Sequence, residues 1–443
     1  MDYTPHTDRE RSLMMGVVGV ASIDELFADI PPGCRINGDL RLPPPLSEQE
    51  LAALMEGIAA ENRLPRLCLL GAGAYHHYIP AVVRHVVARS EFYTAYTPYQ
   101  AEISQGILQA IYEYQTMVAR LTGTDLANAS MYDGASSLAE GAVLAAKTLN
   151  RSRIVVGRAV HPRYRRVVAT YAWANGYETV EIPYDDTGRT DPSALGEALN
   201  PETAAVLIQS PNFFGVIEDL EALAPPVHEA GALLISSFTE ATSLGLLKPP
   251  GQAGADIVTG EGQAFGNPIG FGGPHLGIFA AKSRFLRKIP GRLAGATVDR
   301  EGRRGFVLTL QTREQHIRRE RATSNICSNE ALCALAAAVY LACLGKNLRR
   351  LAEINLHKAR YLRDLLVGLP GWEGLFPAPF YNEFALRCPD PAGANALLEE
   401  EGIVGGYILE DDYPELRGGI LLCVTETATR QDLDKAVSIL KKL

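Results

Sequence analysis

Three stretches of this chain carry residues whose types and spacing could do chemistry. The first is Tyr132-Asp-Gly134-Ala-Ser136-Ser137-Leu-Ala-Glu140-Gly141, which opens a helix predicted to run to Thr148. Small residues at a helix start leave backbone N–H groups free for an anion, and the Ser136 and Ser137 hydroxyls add donors. Capping explains the same spacing more cheaply, with Ser136 or Ser137 as N-cap and Glu140 as its box partner. The second stretch is aromatic: Gly71-Ala-Gly73-Ala-Tyr75-His76-His77-Tyr78, followed by Tyr93, Tyr96, Thr97, Tyr99 and Gln100. Gly71 and Gly73 suggest a dinucleotide loop, but His76 stands where the third glycine belongs. His76 and His77 are adjacent and would face opposite sides of a strand, a poor metal pair. The tyrosine-dense run suits an interface, where a rigid ring contributes area and one hydrogen bond. A loop packed on the core is an even alternative. The third stretch is the apolar run Leu233–Phe238 with Thr239 and Glu240, then a Gly-rich turn from Gly254 to Pro274. It holds no lysine. No HExxH, P-loop, GxSxG or zinc-type Cys/His spacing occurs.

The elements that must position these residues follow from the pattern of apolar runs. Residues 1–65 read as a helical, loop-rich segment. Ser22 with Glu25 and Ser47 with Glu50 are the expected capping boxes, the second opening a helix from Glu48 to about Asn62. From 66 to 328 strands alternate with helices. Strands are expected at Ile154–Gly157, Thr179–Pro183, Ala205–Gln209, Leu233–Ser236, Ile257–Thr259 and Leu276–Ala281. Helices are expected at Arg163–Ala174, Ser193–Leu199 and Glu221–Ala230. That alternation implies an α/β domain with a doubly wound, mostly parallel sheet covered on both faces. Residues 329–443 read as a linking helix, Glu330–Leu344 and on through Leu348–Leu366, and a small α+β domain. The latter combines strands Glu383–Arg387 and Ile420–Val424, a helix over Ala392–Glu401 and a last helix capped by Thr429 with Asp432.

Composition limits the classes of partner. Of 443 residues 47% are hydrophobic and 21% charged, the balance of an ordinary soluble protein. A net charge of -9 argues against nucleic acid, which needs clustered Lys and Arg. The Arg-dense stretches Arg151–Arg166 and Arg313–Arg321 are explained as solvated faces or subunit contacts. Seven scattered cysteines without a CxxC pair fit a reducing cytosol, with Cys327 and Cys333 as structural thiols at a helix start. Early acidic residues and a short apolar run make the N-terminus neither a signal peptide nor a membrane span. The expected location is cytoplasmic.

The order of these parts resembles pyridoxal-phosphate (PLP) enzymes of the aspartate-aminotransferase fold, fold type I. There the turn at Gly134, Ser136 and Ser137 would hold the cofactor phosphate, and a lysine would follow the strand after Glu240. The nine lysines stand at 147, 248, 282, 288, 346, 358, 435, 441 and 442, so none falls between 248 and 282. Without that amine the chain cannot tether the aldehyde. The wording of three runs is similar to the P-protein family of the glycine cleavage system: LGAGAYHHYIPAVV with EFYTAYTPYQAEISQG and NASMYDGASSLAEG, DIVTGEGQAFGNPIGFGGPHLGIFAAK, and RRGFVLTLQTREQHIRRERATSNICSNEAL. Length and content resemble the first subunit of the split, two-chain form.

That resemblance implies an assembly of two such chains with two copies of a second subunit. The second subunit would carry the PLP lysine, and a lipoylated H-protein would accept the aminomethyl group from glycine. Ala264 then occupies the lysine position, Gln263 the position of a neighbouring His, and Glu240 roughly that of the acid facing the pyridine nitrogen. Tyr93, Tyr96, Thr97, Tyr99 and Gln100 become candidates for shaping the pocket across the interface, and Arg313 and Arg318–Arg321 for facing a carboxylate or an acidic carrier. Two alternatives stay open: a non-catalytic scaffold or regulatory subunit, and a free-standing PLP transferase with an unorthodox lysine.

Overall fold

The computed structural model describes residues 5–36, 38, 40–94, 96–326 and 328–443. Cys327 lies outside them. Residues 1–63 form one compact unit and residues 64–443 another.

In the first unit, helices Asp8–Val18 and Glu48–Ala60 each open with a complete capping box, Thr7 with Glu10 and Ser47 with Glu50. Leu51, Leu54, Met55 and Ile58 recur at helical spacing on the second helix, each about half exposed. The box expected at Ser22 does not form. Ile23–Phe27 is a 3-10 helix, Ser22 makes no side-chain cap bond, and the Glu25 carboxylate accepts from Ala21 N–H at 3.1 Å. Pro31 bars Ile30 from helical geometry, leaving too few residues for a cooperative α-helix.

The second unit is built on a seven-stranded sheet. In chain order its strands are β1 (Leu126–Ala127), β2 (Arg153–Gly157), β3 (Glu178–Ile182), β4 (Thr203–Gln209), β5 (Leu233–Phe238), β6 (Ile257–Glu261) and β7 (Gly277–Ala281). Their spatial order is β1-β7-β6-β5-β4-β2-β3, with β6, β5, β4, β2 and β3 parallel and β7 and β1 antiparallel to their neighbours. All of β4, β5 and β6 is buried, which is why they read as mainly apolar runs without strict alternation. Alternate residues serve opposite faces. Ala205 and Leu207 join the core under helices Gly134–Leu149 and Pro162–Asn175, whereas Val206 and Ile208 join the core under Leu220–Glu229.

Beyond the sheet, Leu293–Val298 and Arg304–Thr309 pair as an antiparallel hairpin. Helix Ala331–Leu344 follows and shares a core with Gln105–Thr122. A four-stranded sheet formed by Glu373–Gly374, Glu383–Arg387, Gly419–Cys423 and Tyr407–Ile408 packs with helices Leu348–Val367, Pro391–Glu400 and Arg430–Leu440. The helical stretch Ala331–Val367 is long and apolar enough to cross a membrane by length and composition alone. Half of its most apolar window is buried inside the protein, and a 3-10 turn at Gly345–Asn347 interrupts it, so it is a core element.

Candidate functional site

In a parallel sheet of this kind ligands bind in the crevice beyond the C-terminal strand ends. Here β2 delivers His161, β4 delivers Gln209, β5 delivers Thr239 and Glu240, and β6 delivers Glu261, Gln263 and Ala264. The segment Gly71–Tyr78 crosses these ends. Gly71 and Gly73 make the crossing possible, and not as a dinucleotide loop. Both have positive φ, and a Cβ would lie 2.5 Å from Glu383 Oε1 at Gly71 and 2.8 Å from His161 Nε2 at Gly73.

The crevice is filled by the chain's own side chains. Tyr75, 1% exposed, places its hydroxyl 2.7 Å from Glu383 Oε2 and 2.9 Å from Thr239 Oγ1. The Ala72 N–H donates to Glu383 Oε1 at 2.7 Å. The Gln263 side-chain amide accepts from Tyr75 N–H at 3.0 Å and donates to Asn267 O at 2.7 Å. His161 donates from Nε2 to Ala72 O at 3.0 Å and accepts at Nδ1 from Arg163 N–H at 3.1 Å, which fixes its neutral tautomer. Burial pushes its pKa down to about 4. The ring stacks on Tyr164 at 5.0 Å and meets Phe213 edge-on at 4.8 Å.

His77 is held between two carboxylates, Glu240 Oε2 at 2.9 Å and Glu426 Oε2 at 2.8 Å. Burial alone would lower its pKa, but the two carboxylates outweigh burial and raise it to about 10. Glu240 also accepts from the backbone N–H and the hydroxyl of Thr242, and from Asn382 at 3.3 Å. Burial raises the pKa of Glu383 to about 7.

The helix opens at Gly134 as expected, but its cap differs from expectation. The N-cap is Asp133, with Ser136 as reciprocal box partner. Ser136 and Ser137 lie inside the first turn, and both hydroxyls donate to Asp133 O. Asp133 takes the role because its short carboxylate reaches the Ser136 N–H at 2.7 Å. Glu140 is a buried mid-helix residue whose pKa burial lifts to about 7. The Gly134 N–H donates to Glu261 Oε2 at 3.0 Å.

A second cluster gathers around the tyrosine run. Tyr93 and Tyr96 are 64% and 84% exposed, Gln100 is exposed and Thr97 is buried. Tyr99 packs against His316 at 5.7 Å and under the Arg292 guanidinium at 5.7 Å. Arg292 and Glu314 are an ion pair at 3.7 Å, both side chains about 95% buried. Arg292 Nε and Glu314 Oε1 make no hydrogen bond. Arg313, expected to face a carboxylate, instead spends its donors on the carbonyls of Ile289, Gly291 and Leu310. Arg318 Nε donates to Thr312 O, and Arg319 and Arg321 are exposed. Sequence reasoning passed over Arg292, Glu314, Glu261 and Glu383. Glu261 alone left a local signal, an acid in a Gly-rich turn at a strand end.

A model of the glycine cleavage system P-protein family matches residues 1–440. The chain belongs to that family. It is 51% identical over 438 residues to a probable glycine dehydrogenase (decarboxylating) subunit 1 from Desulforamulus reducens, covering 98% of each chain. The corresponding protein from Anoxybacillus flavithermus is 52% identical over 440 residues, covering 98% of this chain and 97% of that one. A crystal structure of inhibitor-bound glycine decarboxylase, a P-protein, is 45% identical with a TM-score of 0.88 and full coverage of both chains. A sphingosine-1-phosphate lyase from Burkholderia pseudomallei, 16% identical, covers 94% of this chain and 93% of its own with a TM-score of 0.65, which bears on the fold alone. The fold is that of PLP-dependent enzymes of fold type I.

Within this P-protein fold the residues present do not fit a tethered PLP. Ala264, 1% exposed, offers no amine, and the helix N-terminus already receives a carboxylate. Lys248 and Lys282 are paired with Glu221 and Asp256, and Lys358 donates to the Glu426 and Ala428 carbonyls. Glu240, sought as the acid for a pyridine nitrogen, is committed to His77.

Proposed function

We propose that this chain is the lysine-less subunit of a two-chain glycine decarboxylase. The reading is supported by the crevice at the strand ends: with Ala264 taken as the lysine position no amine is offered there, and the buried Tyr75, Glu383, Gln263 and Glu261 occupy it. Cofactor chemistry then belongs to a second subunit, on which PLP would act as the electron sink for decarboxylation of glycine. The aminomethyl product passes to the lipoyl arm of H-protein.

This chain's own residues contribute a wall. Tyr93, Tyr96, Thr97, Tyr99 and Gln100 line it, and the buried Arg292–Glu314 pair with His316 fixes Tyr99 from behind. Arg319 and Arg321 are exposed and could meet an anionic partner, Arg321 from beside Glu320 at 3.8 Å. The assembly consists of two chains of each kind and works in the cytoplasm.

Co-production with the second subunit tests this directly. The expected result is one PLP per pair of unlike chains, with glycine decarboxylation only when both are present. Release of carbon dioxide by this chain alone at the rate of the complex would overturn it. Unchanged turnover of an intact complex carrying Tyr96→Ala and Tyr99→Ala would reduce the chain to a scaffold.

A further inference from the structure

Asp256 directly precedes β6, at the end of the sheet opposite the crevice. Because β7 runs antiparallel to β6, with Ala281 beside Ile257, the residues that follow β7 return to the same place. They are Lys282 and Arg284. The Asp256 side chain is 1% exposed, and the roughly four acceptor sites of its carboxylate meet four partners. Oδ1 accepts from Lys282 Nζ at 2.7 Å and from Arg284 Nη2 at 2.7 Å. Oδ2 accepts from the Leu234 N–H at 3.0 Å and faces His228 Nε2 at 3.0 Å. Two permanent cations therefore share one carboxylate that has no acceptor left to give them. With His228 counted as neutral, the cluster carries an excess of one positive charge. The Lys282 and Arg284 side chains are 37% and 57% exposed, so their other N–H groups turn outward.

Those groups border a cavity of about 510 Å³. Among the described residues that line it, Asp256 is the one acid. Leu149, Leu233 and Phe285 form its apolar wall, and the Arg284 guanidinium lies 4.8 Å from the centre of the Phe285 ring. Helices Gly134–Leu149 and Leu220–Glu229 end beside this cavity, and each end contributes roughly half a negative charge. Arg151 offsets both. It stands two residues past the first helix and donates to Ala230 O, just past the second, at 3.1 Å. What remains is the excess on Lys282 and Arg284. A cavity of this size, apolar with a few convergent donors, has the make-up of a small-molecule site.

We propose that this cavity binds an organic oxyanion, its charged head on Lys282 and Arg284 and its carbon body against Leu149, Leu233 and Phe285. A carboxylate and a phosphate ester both suit a guanidinium beside an ammonium. The site shares no residue with the tyrosine wall or the crevice, so it stands whether or not the two-chain reading does.

The test is isothermal titration of benzoate and of phenyl phosphate into the full-length chain. Benzyl alcohol serves as the body without the charge, and chloride as the charge without the body. At least one of the two aromatic anions is expected to bind saturably at one site per chain, and the tighter of them names the head group. Neither control is expected to bind. Lys282→Gln and Arg284→Gln each leave the other cation on Asp256, and each is expected to weaken binding at least about tenfold. Lys282→Arg is expected to keep most of it. No saturable binding of either anion to wild type overturns the proposal, and so does unchanged binding in both Gln variants. Should either variant fold poorly, wild-type titration in added salt takes its place: affinity is expected to fall, and salt-independent binding also overturns the proposal.

Discussion

His77 shows how one residue can hold a buried site together. Its two nitrogens face Glu240 and Glu426, and both of those carboxylates depend on it for their positive charge. Replacing it with Ala leaves two carboxylates unpaired in the interior, a loss of about 3–5 kcal/mol. The folded pKa, about 10, lies above the ordinary 6.5, so its stabilisation is whole below about 6.5 and is lost as pH climbs through about 10. Urea unfolding of His77→Ala and wild type should therefore differ most near pH 6 and converge toward pH 10. A pH-independent gap would refute this account. Glu383 behaves oppositely. Its carboxyl is lifted from 4.5 to about 7, so its burial costs nothing below about 4.5 and its full penalty above about 7. Glu383→Gln keeps an acceptor for the Ala72 N–H and removes the charge. Its unfolding midpoint is expected to equal or exceed wild type at pH 8.5 and to fall to or below it at pH 5; the reverse order would show that the group is ionised throughout.

At the scale of elements, the parallel strands were the most legible part of the chain. A strand covered by helices on both faces is mostly apolar, and β4, β5 and β6 are buried throughout, with polar residues such as Gln209, Ser237 and Glu261 gathered toward their C-terminal ends. Capping boxes at Ser47 and Thr429 were legible for a similarly local reason, since partner and cap lie three residues apart. The cap at Asp133 was misassigned because Asp133, Ser136 and Ser137 all satisfy the same local grammar and only backbone geometry chooses among them. Glu240, Gln263 and Ala264 were singled out, but how Tyr75 and Glu383 close the crevice was not legible. Tyr75 reaches Gln263, Thr239 and Glu383 across separations of 188, 164 and 308 residues, and no local pattern encodes such contacts. The Asp133 cap gives a direct check: Asp133→Ala should lower unfolding free energy by about 1 kcal/mol and Asp133→Asn by far less. Equal losses for both would mean that the charge and not the hydrogen bond to Ser136 N–H matters.

For the whole molecule the decisive contrast is that the residues at the strand ends, Tyr75, Gln263, Glu261 and Glu383, are buried while aromatic side chains elsewhere stand in solvent. Tyr93, Tyr96 and Tyr99 are 64%, 84% and 47% exposed, next to a buried Arg292–Glu314 pair with unfilled hydrogen-bonding capacity. Exposed tyrosines over a rigid polar base have the composition of an interface hot spot. Tyr93 and Tyr96 have little to lose in the isolated chain, so Tyr93→Ser with Tyr96→Ser should leave its stability within about 0.5 kcal/mol. Binding to the second subunit is a separate quantity. A hot-spot residue is worth about 2 kcal/mol or more, so the double variant should dissociate at least about thirtyfold more readily than wild type in biolayer interferometry. The second subunit should also raise the melting temperature of the wild-type chain more than that of the variant at equal concentration, since a partner stabilises the state it binds. Unchanged affinity with unchanged stability would place the contact surface elsewhere and leave the exposed tyrosines without a partner.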